Sequence, residues 1–266
     1  MPINPTDPRP AYQQIADDLR AQIDRGDLRP GDRLPSIRVL ASLHDVAQMT
    51  IRQAITLLVN EGRVSTRQGR GAFVREPQPV RRIASSRYRT QLEYVQQAGK
   101  APPAPGTAFT GDHQIAWHEY ELEKSFSRVP APPVVADLLE VPIGTPLLAR
   151  RFVFYARSRP EQISTSYYPL SLVEGTPVAD PNNEPWPGGN IAQLATLGVH
   201  VTEVQESVRA RMPTPEERQI LQIPRGIPVL TIRRRMLAQG RPVEAAVDIV
   251  IPADRVVLDY TIELSS

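Results

Sequence analysis

The chain has 266 residues, 41% of them hydrophobic and 23% charged, a composition typical of a folded protein with packed cores. It contains no cysteine, which excludes disulfide bonds, a thiolate zinc site and a cysteine nucleophile. The net charge is only +2, but residues 29–75 hold eight arginines against three acidic residues, a local charge of +5. This segment indicates a region that binds a polyanion, although a solvated arginine-rich surface would give the same count.

The first part of the chain predicts three helices. Residues 10–25 place apolar side chains at helical spacing, and Gly26 is suited to end that helix in a left-handed conformation. A Pro-Gly turn leads to Ser36, whose hydroxyl is suited to cap a second helix over 37–43. A third helix is predicted over 47–60. Its buried face would consist of Ile51, Ala54, Ile55, Leu58 and Val59.

A β-hairpin is predicted directly after the third helix. Two short β-prone stretches, 63–66 and 72–74, flank the Gly-Arg-rich residues 67–71. The short spacing between the second and third helices is the one that a helix-turn-helix needs. Three helices followed by a hairpin predict a winged helix-turn-helix over residues 1–76.

The remainder of the chain predicts a linker and a second domain. Residues 77–106 have Pro-rich ends around a possible helix at 90–98, and we interpret them as a linker. Residues 107–266 then alternate strands with short helices, which favours an antiparallel sheet and an α+β fold class. The predicted strands are 116–124, 146–155, 162–169, 199–211, 228–237 and 242–252, and the predicted helices are 132–139, 190–198 and 214–221.

Four sequence stretches of the first domain carry a family resemblance. Residues 12–20, 26–41, 50–55 and 61–74 resemble the winged-helix domain of GntR-type bacterial transcription regulators, in the right order and spacing.

The second domain carries a looser resemblance. Residues 163–169, 211–218, 226–236 and 240–244 are similar to the UTRA ligand-sensing domain of the HutC branch, which has a chorismate-lyase-like fold.

The two resemblances imply a cytoplasmic, nucleoid-associated homodimer that binds a palindromic operator in double-stranded DNA. They imply a repressor that a small-molecule effector releases, with no cofactor. The sequence leaves one alternative open, a constitutive dimeric repressor whose C-terminal domain no longer senses a ligand. No stretch reaches the roughly 18 apolar residues of a membrane span, and the Pro-rich N-terminal stretch does not resemble a signal peptide, so we expect a soluble protein with no membrane partner.

The start of the third helix is predicted to recognise the DNA sequence, because the first residues of a recognition helix point at base edges. Many relatives carry Ser-Arg where this chain has Ala47-Gln48; since Gln pairs best with adenine and Arg with guanine, a different operator base is expected there. Arg52 could instead form a surface ion pair with Glu61 or Asp45, and Gln48 could be merely solvated. The predicted DNA contacts are Arg33, Ser36, Arg38, Ala47, Gln48, Thr50, Arg52, Gln68, Gly69 and Arg70.

The effector site is predicted from the UTRA resemblance. Relatives that bind phosphosugars carry two Arg on one strand, and those positions fall on Phe152 and Phe154 here, while a typical carboxylate falls on Ser164. Such replacements favour an apolar or amphipathic effector over a phosphorylated one. If the alignment slips, Arg150 or Arg151 takes that role; the two Phe residues would also suit an ordinary core. The predicted effector contacts are Arg151, Phe152, Phe154, Ser164, Asn190 and Glu244.

An enzyme is the rival class of function. His113 and His118 lie five residues apart, a spacing that suits neither a zinc-binding helix nor a strand face. Neither a Gly-x-Ser-x-Gly nucleophile motif nor a phosphate-binding loop occurs in the sequence. We therefore predict no catalytic residues and no metal site.

Overall fold

The computed structural model describes residues 3–4, 6–67, 69–76, 80–97 and 104–259, with the backbone alone for 80–86, 90 and 97. The chain forms two compact units. The first comprises residues 1–78 with 223–227, and the second comprises residues 79–222 with 228–266.

Three helices form the body of the first unit: α1 (Ala11–Asp24), α2 (Ile37–His44) and α3 (Gln48–Asn60). Gly26 follows α1 with a φ of 78°, and the Ser36 hydroxyl accepts a hydrogen bond from the Val39 N–H at 3.2 Å, so both predicted helix signals are confirmed. The buried side chains recur at helical spacing and form one core. They include Ile15, Ala16 and Leu19 of α1 and Ile51, Ala54, Ile55 and Leu58 of α3.

The predicted hairpin is also present in the first unit. It consists of β1 (Val64–Arg67) and β2 (Gly71–Val74), which pair antiparallel from Val64↔Val74 to Arg67↔Gly71. Val64, Ala72 and Val74 face the helices and join their core. Alternation of side chains leaves the other face of the hairpin toward solvent.

Part of the segment assigned to a linker has regular structure. Strand β3 (Val80–Ile83) and helix α4 (Ala84–Gln97) lie within residues 77–106, and both belong to the second unit. Strand β3 pairs in parallel with β10 (Val256–Asp259), a pairing that was not predicted. Tyr88 and Val95 of α4 pack against the apolar core of the second unit, so burial stabilises this helix.

A six-stranded antiparallel sheet is the centre of the second unit, as the sequence predicts. Its strand order is β4-β5-β6-β9-β8-β7. The strands are β4 (Tyr120–Pro130), β5 (Pro146–Ala156), β6 (Arg159–Pro169), β7 (Glu203–Arg211), β8 (Val229–Ala238) and β9 (Arg241–Pro252).

Short helices surround this sheet, and two of them were not predicted. The predicted cap of α9 is confirmed, because the Thr214 hydroxyl accepts from the Glu217 N–H at 3.2 Å. The unpredicted helices are α5, which lies between the assigned linker and the first strand of the sheet, and the short α7, which follows β6. The helices are α5 (Ala108–His113), α6 (Pro133–Leu139), α7 (Leu170–Val173), α8 (Gly189–Thr196) and α9 (Pro215–Ile220).

Candidate nucleic-acid interface and ligand pocket

The first turn of α3 is open to solvent on its polar side. Ala47 precedes the helix without forming a side-chain cap, Gln48 and Arg52 are exposed, and Thr50 is half-buried. Met49, which the sequence analysis did not select, is 64% exposed in the same turn. An apolar side chain at this position suits a thymine methyl group, so this turn offers both hydrogen-bonding and apolar contacts.

Several exposed arginines of this unit have no carboxylate partner within the described part of the chain. No Asp or Glu among the described residues forms an ion pair with Arg38, Arg52 or Arg70. By contrast, Arg20 contacts Glu61 at 2.7 Å and Arg63 contacts Asp24 at 2.5 Å. Arg52 therefore forms neither of the ion pairs considered as its alternative role.

Backbone conformation sets the shape of the hairpin tip. Gly69 and Gly71 have φ angles of 71° and 102°, which favour glycine. The Nε atom of Arg33 lies 3.1 Å from the place that a Cβ of Gly71 would occupy, so the missing side chain lets the exposed Arg33 lie against the tip. Arg70 is exposed beside them, whereas Gln68 lies outside the described residues.

The second unit contains a polar pocket lined by side chains from the sheet and from α4, α5 and α8. Its cavity volume is ≈ 70 Å³, several times the roughly 10–15 Å³ that one water needs. Four of the predicted effector residues line it, namely Phe152, Phe154, Ser164 and Asn190. The other lining residues are Arg87, Gln91, Thr107, Ala108, Phe109, Tyr120, Leu122, Arg150, Gln162, Ser166, Glu184, Trp186, Gly189, Arg234 and Met236.

Arg150, and not Arg151, lies in this pocket. Successive side chains of a strand point to opposite faces, so Arg150 shares the pocket face of β5 with Phe152 and Phe154. Arg151 points away and contacts Glu216 at 3.1 Å, which corrects the prediction that it contacts the effector.

The Arg150 guanidinium is buried and largely occupied. It forms an ion pair with Glu184 and donates to Gln193 Oε1 at 2.8 Å. It also lies within 5.3 Å of the ring centroids of Phe126, Phe152 and Tyr168. The positive charge is therefore neutralised within the protein and stabilised by aromatic faces.

Glu244 lies behind the pocket wall. Its carboxylate is fully buried and accepts two hydrogen bonds from Arg234, at 2.6 and 3.2 Å. The Asn190 amide donates to the same carboxylate at 3.4 Å. Glu244 thus orients two residues that line the cavity but does not line it itself.

Aromatic rings form the apolar wall of the pocket. The Phe154 ring centroid lies 5.2 Å from that of Phe109 and 5.8 Å from that of Phe152. Tyr120 completes this wall, and burial raises the pKa of its hydroxyl. Phe152 and Phe154 therefore combine packing with a pocket role.

Helix α4 closes one side of the pocket through Arg87 and Gln91. The close packing of α4 on the start of α8 depends on glycine: a Cβ on Gly188 would lie 2.5 Å from Tyr94 Cδ1. Neither Arg87 nor Gln91 was predicted from the sequence to have a role. A weak signal was available, since Gly188-Gly189 beside a predicted helix indicates a close approach of another backbone or side chain.

Other site classes are not supported within the described residues. No group of three or more His, Asp or Glu there could hold a metal ion. Among the same residues, no helix is both long and apolar enough to cross a membrane.

A helix-turn-helix with an exposed first turn of α3 and a winged hairpin, on a chain whose second unit contains a pocket, defines a DNA-binding transcriptional regulator. The model for the bacterial regulatory proteins of the gntR family matches residues 11–74, and the UTRA domain model matches residues 124–256. The chain belongs to the GntR family, in its HutC branch with a UTRA domain, and this family consists of transcriptional regulators and not of enzymes.

Individual relatives agree with this assignment. An HTH-type transcriptional regulator of Streptomyces coelicolor is 31% identical over 90% of this chain and 88% of its own length. The histidine utilization repressor of Pseudomonas putida is 29% identical over 90% of this chain and 87% of its own length. A crystal structure of a GntR-family transcriptional regulator is 32% identical and superposes with a TM-score of 0.66, covering 97% of this chain and 99% of that one.

Proposed function

We propose that the protein is a repressor that binds a palindromic operator as a homodimer and leaves it when a small molecule occupies the pocket of the second unit. The observation that carries the DNA-binding part is a set of exposed arginines, at the start of α3, in α2 and in the hairpin, that pair with no carboxylate of the described residues. Free guanidinium groups are the main donors to phosphates and to guanine.

Each predicted contact has a chemical role in this proposal. Gln48 and Arg52 read base edges, Ala47 and Thr50 contact the backbone or a thymine methyl, and Arg38 binds phosphate from α2. The hairpin enters a minor groove, with Arg70 inserted and Gly69 allowing close approach. Arg33 and Ser36 add contacts at the tip and at the start of α2, and Gln68 contributes from the wing.

Two features support the repressor and effector parts. Similar proteins from Bacillus subtilis and Pseudomonas putida are named repressors, at 28% and 29% identity over most of this chain. The second unit also has a pocket with buried charged groups and an aromatic wall, the usual composition of a small-molecule site.

A footprint of the full-length chain on the DNA upstream of its own gene, complemented by genomic selection, tests the proposal. A two-fold dimer should protect two inverted half-sites whose centres lie about one helical turn, or a multiple of it, apart. A metabolite screen by thermal shift then identifies ligands, and each hit is tested for release of the operator. Protection of a single, non-symmetric site would contradict the dimer, and hits that leave operator binding unchanged would favour the constitutive alternative.

A further inference from the structure

Arg87 is the charged group of the pocket whose hydrogen-bonding capacity is used least. Arg87 is 9% exposed, and its ion pair with Asp112 is long, with 3.4 Å between Arg87 Nη2 and Asp112 Oδ2. The Nε and Nη1 atoms of Arg87 are buried without a hydrogen-bond partner among the described residues. Buried guanidinium donors without partners are costly, so this arrangement indicates that a ligand supplies the missing acceptor.

The start of α8 adds a second feature that favours an anion beside Arg87. Gly189 and Asn190, the first residues of this eight-residue helix, line the same cavity. The first N–H groups of a helix lack intrahelical partners and carry partial positive charge. The Gly189 N–H donates to the Trp186 carbonyl at 3.0 Å, so the start of α8 contributes this partial charge and not a free Gly189 donor. Arg87 and the start of α8 therefore favour a negative group from two sides.

The charges around the pocket limit how negative that group can be. Arg150 is paired with Glu184, Arg234 with Glu244, and Arg87 with Asp112. The three pairs sum to zero, and one further cation, Lys124, donates to the Glu184 carbonyl beside the cavity, so a dianionic phosphate would bring at least one uncompensated negative charge into a buried site. A single negative charge costs much less.

We propose that the pocket takes a small monoanionic carboxylate with a flat apolar body, and that Arg87 of α4 binds its carboxylate. The apolar body packs against the rings of Phe109, Phe152 and Phe154, of which Phe154 contacts the other two. This inference rests on the proposed function, because it names the class of the effector. It also places the ligand against α4, the first helix that follows the winged unit in the chain.

Thermal shift and calorimetry on the full-length chain test the ligand class. The probes are benzoate and crotonate, their neutral amides benzamide and crotonamide, and glucose 6-phosphate. We expect the carboxylates to raise the Tm and the amides and the sugar phosphate to leave it unchanged. Equal stabilisation by amide and carboxylate, a response to the sugar phosphate alone, or no response to either carboxylate would overturn the proposal.

Variants of α4 test the residue. Arg87→Gln should weaken benzoate binding at least tenfold, whereas Arg89→Gln, at an exposed position of the same helix, should leave it unchanged. Arg87→Lys keeps the charge, provides a second variant if Arg87→Gln does not fold, and should retain more affinity than Arg87→Gln. Benzoate binding that is unchanged in Arg87→Gln, or equally weak in the lysine variant and in a folded glutamine variant, would show that Arg87 does not bind the carboxylate through its charge.

Operator binding measured on the same preparations separates this inference from the proposed function. Intact operator binding with no response to carboxylates means that the ligand class is wrong while the regulator stands. Carboxylate binding through Arg87 that leaves operator affinity unchanged means that the ligand class is right and effector release is wrong.

Discussion

The carboxylate of Glu244 accepts two hydrogen bonds from the guanidinium of Arg234, Oε1 from Nη2 at 2.6 Å and Oε2 from Nε at 3.2 Å. Glu244 is fully buried and Arg234 is 9% exposed. The pair joins β9 to β8 immediately behind the pocket, and Asn190 of α8 donates to the same carboxylate. It thereby fixes one charged wall of the pocket before any ligand binds.

Removing the charge of Glu244 should destabilise the second unit strongly. Glu244→Gln leaves the buried Arg234 without its counter-charge, and such a loss costs about 3–5 kcal/mol in the free energy of unfolding. Urea unfolding measures this cost. Glu140→Gln is the matched control, since Glu140 pairs with Arg235 through a 59%-exposed side chain and should cost no more than about 1 kcal/mol. Equal losses in the two variants would mean that the buried pair does not contribute as described.

Gly188→Ala should destabilise the contact between α4 and α8. The new Cβ would lie 2.5 Å from Tyr94 Cδ1 and 2.6 Å from Ala192 Cβ. In addition, residue 188 has a φ of 81°, a left-handed conformation that disfavours alanine. Gly198→Ala is the control, because Gly198 has a φ of 74° and no atom within 4 Å of an added Cβ. The left-handed backbone should cost about 1–2 kcal/mol in both variants, and the overlap should add about 1–3 kcal/mol in Gly188→Ala alone. Chemical denaturation of both variants provides the comparison, and indistinguishable stabilities would contradict the close approach.

His113 should make the stability depend on pH below neutrality. Burial, reinforced by Arg87, Arg157 and Arg159, lowers the pKa of His113 to about 4. Between that value and the unfolded value of about 6.5, the unfolded chain binds more protons than the folded one, so stability falls as the pH falls through this window and is insensitive to His113 above it. The full effect is on the order of 3 kcal/mol at most.

A variant isolates this contribution from those of other titrating groups. His113→Gln should lose less stability than the unmodified chain between pH 6.5 and 4, measured by urea unfolding at each pH. Burial also raises the pKa of the Glu161 carboxyl group, but Glu161 is common to both proteins and its contribution cancels in the difference. Parallel pH profiles for the two proteins would mean that His113 is not held neutral by the fold.

The base preference of the operator should follow the residue at position 48. Gln48 pairs best with adenine, so Gln48→Arg should shift the preference at one base pair of each half-site toward guanine by about 1–3 kcal/mol. Binding to operators substituted at every position, one at a time, measures the change. Gln53→Arg adds the same charge at an exposed position further along α3 and should strengthen binding without changing the preference. A shift of base preference in both variants, or in neither, would show that Gln48 does not read a base of the operator.

The winged unit could be predicted from local signals alone. Helical spacing, the Ser36 cap and the Gly-rich hairpin are each determined within a few residues, and these features agree with the structure. The pocket depends on which face of a strand meets which helix. Strand alternation would have separated Arg150 from Arg151, but only if the pocket face of β5 had been known. The pocket role of α4 could not be predicted, because Gly188, against which α4 packs, lies far from α4 in the sequence.

The electrostatic balance of the pocket could not be obtained from sequence either. The positions of Phe152 and Phe154 suggested that the cations of related sites are missing. In the structure Arg150, Arg234 and Arg87 come from β5, β8 and α4, and their carboxylate partners from the loop before α8, from β9 and from α5. Arg150 and Glu184 are 34 residues apart, and even Arg234 and Glu244, ten residues apart, meet only because β8 and β9 pair, so neither spacing nor composition indicates these pairs.

The most direct test of the central claim is the affinity of the full-length chain and its Arg52→Ala variant for the recovered operator and for random DNA. Arg25→Ala is the control, because Arg25 is exposed and pairs with Asp27 at 3.0 Å. Specific recognition by α3 predicts that Arg52→Ala loses about 1–3 kcal/mol on the operator, much less on random DNA, and that Arg25→Ala matches the unmodified chain. Operator affinity that is unchanged in Arg52→Ala, or no greater than the affinity for random DNA, would contradict the assignment of α3 as the element that reads DNA.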